Sequence, residues 1–152
     1  MIKSKHIEEI KSGCRLKKEP IYKFLKICDD LFVNRLSSMV NLSEYSEKIS
    51  KKSLQACYYV NGDLVGMSAF YTNNQKEKIA YISIICIKED YQGKGIGKIL
   101  LNETIKHIKT MGFHSIKMEV NKKNKRSFNL YKKFGFDILE EKENSMIVGK
   151  DL

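Results

Sequence analysis

A glycine- and lysine-rich segment is the part of this sequence best suited to chemistry. It consists of Gln92, Gly93, Lys94, Gly95, Ile96, Gly97 and Lys98 and lies shortly after the apolar stretch 79–87. Glycine permits positive φ angles and allows a ligand to approach the main chain closely. A helix beginning here would direct free N–H groups and the positive end of its dipole at that ligand. The segment therefore predicts a binding site for an anion.

Spacing excludes two common phosphate-binding loops. The nucleotide-hydrolase loop has four residues between its glycines and a serine or threonine after the lysine. Here three residues separate Gly93 from Gly97, and Ile99 follows Lys98. The dinucleotide fingerprint G-x-G-x-x-G would require a glycine in place of Lys98. Neither loop fits this segment.

Two blocks of the sequence resemble a known superfamily. Residues 92–97 are similar to the Q/R-x-x-G-x-G/A pyrophosphate loop of the GCN5-related N-acetyltransferases (GNAT). A later block, 118–136, resembles the family pattern at Met118, Val120, Asn124, Ser127, Tyr131, Gly135 and Phe136. The resemblance extends over roughly residues 55–141. It implies a mixed α/β fold of the GNAT acyl-CoA N-acyltransferase type, with a mostly antiparallel central sheet flanked by helices.

The resemblance implies acetyl-CoA as co-substrate, and the spacing of the cysteines and histidines gives no support for a metal site. The N–H groups of Gln92, Gly93, Lys94, Gly95, Ile96, Gly97 and Lys98 would surround the pyrophosphate. The pantetheine arm would pair like an extra strand with Ile85, Cys86 and Ile87, where one N–H polarises the thioester carbonyl. Asn124 and Ser127 would contact the same arm.

Two catalytic residues also follow from the resemblance. Tyr131 is at the family's general-acid position and would protonate the departing sulfur. An alkylamine has a pKa near ~10 and must first lose a proton, which Glu119 would accept as the general base. Some relatives carry a carboxylate on the central strand, where this chain has Ser83. The base therefore stays open among Glu119, a water relay, and an amino-terminal acid such as Asp29 or Asp30.

Residue periodicity predicts the elements that position these groups. Apolar residues from Ile21 to Phe32 recur every three and four positions, which indicates a helix with Pro20 in its first turn. Ser43 can cap a second helix that ends near Lys52. Asn61-Gly62 predicts a hairpin between two strands. The apolar run 79–87 predicts a central strand covered on both faces.

Beyond the glycine segment the pattern predicts a helix ended by Gly112, a strand at 115–121, a short helix closed near Gly135, and two final strands around the turn 142–144. We expect one domain over 1–152. Residues 1–54 would form a helical region on the acceptor side, and residues 55–152 the sheet and the acetyl-CoA-binding core. His107 and His114 are expected to lie in solvent, away from the site.

Composition and charge limit the compartments and binding partners that we expect for this protein. The net charge of +10 favours anionic ligands, but the lysines are scattered and no stacking aromatics accompany them, so nucleic acid is not an expected partner. Neither an apolar leader nor a membrane-length apolar run occurs, and we expect a cytoplasmic protein. The cysteines, Cys14, Cys28, Cys57 and Cys86, lack metal-ligand spacing and are expected to be reduced and mostly buried.

The predicted function is direct transfer of an acetyl group from acetyl-CoA to an amine. The acceptor stays open among a small-molecule amine, an amino sugar, a polyamine, and a protein or peptide amine. Arg35 with Asp29 and Asp30 could contact it. The alternative is a non-catalytic acyl-CoA sensor or interaction module on the same fold, and a homodimer is possible.

Overall fold

A seven-stranded mixed sheet organises the protein. The structure is a computed structural model and describes residues 6–152. The strand order is β1-β2-β3-β4-β5-β7-β6, with β4 and β5 parallel and the other neighbouring pairs antiparallel. This arrangement confirms the predicted mostly antiparallel sheet. The strands are β1 Glu8–Cys14, β2 Leu54–Val60, β3 Asp63–Asn74, β4 Ile79–Ile87, β5 Ser115–Asn121, β6 Asp137–Glu141 and β7 Ser145–Asp151.

Helices cover both faces of this sheet. One face packs against α1 and α3 through Ile21, Leu25 and Ile49, and the other packs against α4 through Leu100 and Ile108. These apolar residues are fully buried, so the sheet lies between two cores. The helices are α1 Lys18–Cys28, α2 Leu36–Met39, α3 Leu42–Lys52, α4 Ile96–Thr110 and α5 Lys125–Lys133, with 3-10 turns at Asp29–Leu31 and Glu89–Tyr91.

Several local sequence signals are confirmed. Asn61 and Gly62 have φ angles of 49° and 84° and connect β2 to β3, as a two-residue hairpin requires. Gly112 has a φ of 84° just beyond the end of α4. Residues 116, 118 and 120 of β5 are buried while the alternate positions are not, which matches the predicted period of two.

The prediction of helices alone before residue 54 is wrong. β1 forms an edge strand paired antiparallel with β2, although its side chains are mostly exposed. Its sequence shows no strong strand pattern because backbone pairing with β2, rather than burial, holds it. Gly13 of β1 lies directly against the imidazole of His107, so that a Cβ at this position would collide with Cε1. His107 is therefore half-buried and packs edge-on against Phe70, contrary to its predicted exposure, whereas His114 is exposed.

Two helix boundaries differ from the predictions. Asn41, not Ser43, caps α3, because its side-chain oxygen accepts a hydrogen bond from the Glu44 N–H at 3.0 Å. The first helix ends at Cys28, and the apolar residues Leu31 and Phe32 lie beyond it. The chain there turns away from the helix axis and forms a wall of the cavity described below.

Two compositional expectations concern the thiols and membrane-length helices. All four cysteines are free, three of them buried and Cys14 half-buried. None of the helices described over residues 6–152 is both long and apolar enough to cross a bilayer.

Candidate active site

The central strands diverge and leave a cavity between them. β4 and β5 are paired only from Ile79 with Ser115 to Ile82 with Met118. Beyond this point β4 stays paired with β3 as far as Ile87, and β5 stays paired with β7 as far as Asn121. The β5-facing edge of β4 beyond Ile82 therefore has no strand partner in the described chain. A cavity of about 990 Å³ occupies this opening.

A β-bulge at Ser83 marks the start of the divergence. Ala69 pairs with Ile84 while Phe70 pairs with Ile82, so Ser83 is an extra residue on β4. Residues two positions apart on a strand normally face the same side, but the extra residue changes this. Ile82 belongs to the core under α4, and Ile84 belongs to the core under α1 on the opposite face. Side chains of β4 enter both cores, as predicted for residues 79–87, but Tyr81 is 39 % exposed and lines the cavity.

The glycine segment forms an open loop at one end of the cavity. Gly93 and Gly95 have φ angles of 76° and 83°, which favour glycine, and Gly95 is the N-cap of α4 without a side-chain capping bond. The first N–H groups of α4 consequently lack an intrahelical partner. Gln92 ties this loop to β4, because its side-chain amide donates to the Ile87 carbonyl at 3.0 Å.

Nearly all of the predicted cofactor residues meet around this cavity. Lys94 is the exception, since its ammonium group lies 5.4 Å from the centre of the Tyr91 ring and does not line the opening. Its N–H remains part of the loop. The predicted residues that line the cavity are Ile85, Cys86, Ile87, Gln92, Gly93, Gly95, Ile96, Gly97, Lys98, Asn124 and Ser127.

Arg126 is a lining residue that the sequence analysis missed. It belongs to α5, and its guanidinium Nη2 lies 4.0 Å from the place where a Cβ on Gly93 would stand. The positive group therefore borders the glycine loop. Its position two residues after Asn124 is unremarkable in the sequence, because α5 and the loop meet only in the folded chain.

Tyr131 lines the same cavity from α5. Asn124 caps this helix by accepting a hydrogen bond from the Ser127 N–H at 3.2 Å, so Asn124 has a structural role in addition to its place at the cavity. The Tyr131 ring packs 6.1 Å from that of Phe136. Burial raises the pKa of the Tyr131 hydroxyl, and a hydrogen bond with Ser127 partly opposes that effect. The phenol therefore carries its proton at neutral pH.

Glu119 faces the cavity from β5. Its carboxylate accepts a hydrogen bond from Ser145 Oγ at 3.2 Å and lies 3.6 Å from Lys142 Nζ. Tyr81 is close enough for the Glu119 charge to add to the effect of burial, and both raise the pKa of the Tyr81 hydroxyl. The structure thus brings Glu119 and Tyr131, which come from different elements, to one opening.

A family profile decides the relationship. The profile of the acetyltransferase (GNAT) family matches residues 21–136. The protein belongs to the GNAT family. This result confirms the resemblance inferred from the two sequence blocks.

Three curated relatives show how far this GNAT protein resembles others. An N-acetyltransferase of Methanocaldococcus jannaschii is 36 % identical over 88 residues, which cover 55 % of this chain and only 38 % of that protein. A spermine/spermidine N(1)-acetyltransferase of Bacillus subtilis is 29 % identical over 104 residues, 60 % of this chain and 68 % of the relative. N-alpha-acetyltransferase 50 of Danio rerio is 29 % identical over 119 residues, 74 % and 71 % of the two chains.

A solved structure shares the fold. The PaiA N-acetyltransferase of Thermoplasma acidophilum, crystallised in complex with coenzyme A, superposes with a TM-score of 0.77. The superposition covers 96 % of this chain and 99 % of that one, at 19 % identity. It confirms the GNAT fold of the whole described chain.

The amino-terminal acids of this GNAT protein do not reach the cavity. Both carboxylate oxygens of Asp29 are engaged by Ser37, whose N–H and Oγ donate to them at 2.7 and 2.6 Å. These hydrogen bonds hold the pKa of Asp29 below its ordinary value. Asp30 pairs with Arg35 at 2.7 Å. Because none of these charged residues lines the cavity, the geometry removes Asp29 and Asp30 as candidate bases and Arg35 as an acceptor contact.

Tyr45 is a second lining residue that the sequence analysis missed. Its hydroxyl and Ser83 Oγ are 2.6 Å apart, so α3 is joined to the bulge of β4. Burial raises the pKa of Tyr45 to about 12. No local pattern reveals this contact, because the two residues are 38 positions apart in the sequence.

Proposed function

We propose that this GNAT protein transfers an acetyl group from acetyl-CoA directly to an amine. The observation that carries the proposal is the convergence on one cavity of an open glycine loop, an unpaired strand edge, and the side chains of Tyr131 and Glu119. Anion binding, thioester alignment and proton transfer then take place within one site.

The loop and strand supply the coenzyme contacts. The pyrophosphate would accept hydrogen bonds from the N–H groups of Gln92 to Lys98, where the dipole of α4 adds ~0.3–1 kcal/mol and the charges of Lys98 and Arg126 add attraction. The pantetheine arm would run along the free edge of β4 from Ile87 towards Ser83. Its amides would there replace the strand pairing that β5 does not provide.

The reaction needs two proton transfers when it starts from the neutral amine. The amine attacks the thioester carbonyl carbon, and an N–H of β4 stabilises the negative charge that develops on the oxygen. Glu119, whose carboxylate contacts Lys142 and Ser145, accepts a proton from the amine. When the C–S bond breaks, Tyr131 donates its proton to the departing thiolate. The products are an N-acetylated amine and free coenzyme A.

Calorimetry with acetyl-CoA, free coenzyme A and ATP tests the cofactor assignment. We expect both coenzyme forms to bind and ATP not to bind. Absence of coenzyme binding would contradict the proposal entirely. Thiol release on addition of amines then separates an enzyme from a non-catalytic acyl-CoA sensor, which would bind the coenzyme without turnover.

A further inference from the structure

An apolar wall faces the coenzyme loop across the cavity. This acceptor wall comes from the chain between α1 and α3 and consists of Leu31, Phe32, Val33, Leu36, Met39 and Val40. Val33 is 44 % and Met39 57 % exposed although both are apolar. Apolar side chains clustered in the open around a cavity indicate a binding surface.

The acceptor wall is held in place by a polar cluster behind it. Asp29 contacts the first turn of α2 by accepting two hydrogen bonds from Ser37. Arg35 pairs with Asp30 at 2.7 Å and lies 3.8 Å from Asp29. Leu36, between these groups, is buried. These contacts therefore hold the backbone that carries the apolar side chains.

The charges around the cavity oppose a polycationic acceptor. Its charged lining residues are the basic Lys98, Arg126 and Lys133 and the single acid Glu119. Glu119 already lies 3.6 Å from the ammonium group of Lys142. A second ammonium group on the acceptor would find no free carboxylate among the lining residues, and burying an unpaired charge is costly. The cavity thus favours an acceptor with one amino group.

Neutral hydrogen-bonding groups complete the acceptor side. Asn34 offers donors and an acceptor, and the hydroxyls of Tyr45, Tyr81 and Ser83 offer both. Such groups suit the amides of a peptide better than the charges of a polyamine. A peptide amino terminus combines the three required features: one amine, a neighbouring side chain, and amides that follow it.

From this complementarity we propose that the acceptor is the amino terminus of a peptide or protein whose first side chain is apolar. This inference rests on the proposed function. The first side chain packs against the acceptor wall, and the amine faces Glu119. The following amides pass the neutral polar groups as the peptide leaves the cavity.

Bisubstrate conjugates test the inference by binding alone. In each conjugate an acetyl linker joins the coenzyme A sulfur to one amine: the amino terminus of a leucine-first pentapeptide, spermidine, or phenethylamine. We expect the leucine peptide conjugate to bind at least ~10-fold more tightly than the other two. Equal or tighter binding of the spermidine conjugate would overturn the inference. Equal binding of the phenethylamine conjugate would show that the peptide amides contribute nothing and would overturn it as well.

A matched pair of variants locates the effect at the acceptor wall. Val33→Asp places a carboxylate at the cavity and should reduce the preference for the leucine peptide conjugate over the spermidine conjugate by ~10-fold or more. Acetyl-CoA affinity should not change. Ile27→Asp is the control, because Ile27 is 62 % exposed on α1 and does not line the cavity. An unchanged preference in Val33→Asp would contradict the assigned wall.

Turnover with the free amines separates this inference from the proposed function. If the protein acetylates spermidine faster than the leucine peptide, the transferase function stands and the acceptor assignment fails. If the peptide conjugate is preferred but no amine releases thiol, the acceptor assignment stands and the catalytic function fails.

Discussion

Removing the hydroxyl of Tyr131 should slow acetyl transfer without disturbing the fold. In Tyr131→Phe the ring keeps its packing against Phe136, and only the hydroxyl contact with Ser127 is lost. A hydrogen bond of this kind contributes about 0.5–1.5 kcal/mol to stability. The protein should therefore remain folded and should bind acetyl-CoA as before.

The catalytic loss should exceed the loss of stability. General acids contribute ~10²–10⁴-fold to rates. A departing thiolate depends less on protonation than an alkoxide does, because the pKa of a thiol is only ~8.5. We therefore expect kcat to fall about 100-fold, which corresponds to about 2.7 kcal/mol in the barrier. Because the pKa of Tyr131 is raised, wild-type activity should not decline through loss of this proton below about pH 10.

Thiol release at saturating acetyl-CoA measures kcat, and calorimetry measures coenzyme affinity. Tyr22→Phe is the matched control, because Tyr22 belongs to α1 and does not line the cavity. A kcat of Tyr131→Phe within twofold of wild type would refute the general-acid role. A large fall in coenzyme affinity would show that the hydroxyl serves binding instead.

Three further predictions test other parts of the site. Gly95→Glu should abolish acetyl-CoA binding in calorimetry, because it places a negative charge in the loop. Gly62 has a similar φ and equally open surroundings, so Gly62→Glu is the control and should still bind. Retained binding in Gly95→Glu would refute the pyrophosphate placement. Arg126→Ala should weaken coenzyme A binding about tenfold at low salt and less at high salt, and an unchanged dissociation constant would remove its role. Between pH 10 and about 12 the folded protein keeps the proton on Tyr45, whereas the unfolded chain releases it. The free energy of unfolding should therefore fall as the pH rises through this window, by at most about 3 kcal/mol. Alkaline denaturation should show a smaller fall in Tyr45→Phe, and an identical fall would contradict the assignment.

The glycine-loop side of the cavity was predictable because its signals are local. Positive φ at Gly93 and Gly95 requires glycine, and the N-cap of α5 requires a residue such as Asn124, so these positions can be read directly from residue types. The hairpin at Asn61-Gly62 is equally local. Each signal depends on a few neighbouring residues and not on the rest of the chain.

The acceptor side was not predictable because it depends on contacts between distant segments. β1 is a strand only because β2 lies beside it, and the bulge at Ser83 arises from the pairing of β4 with β3. Asp29 and Asp30 resemble catalytic acids in the sequence, yet Ser37 and Arg35 bind them behind the acceptor wall. The apolar stripe through Leu31 and Phe32 suggests a longer helix, although these residues face the cavity.

The short pairing between β4 and β5 has a mechanical consequence. The four residue pairs from Ile79 to Ile82 are the strand pairing that joins β1–β4 to β5–β7 in the described chain. In the proposed site, a coenzyme along the free edge of β4 and against α5 would act as a second connection between the two halves. Release of coenzyme A would then loosen that connection. A coenzyme that stiffened the sheet too strongly would delay its own release and limit the rate of repeated turnover.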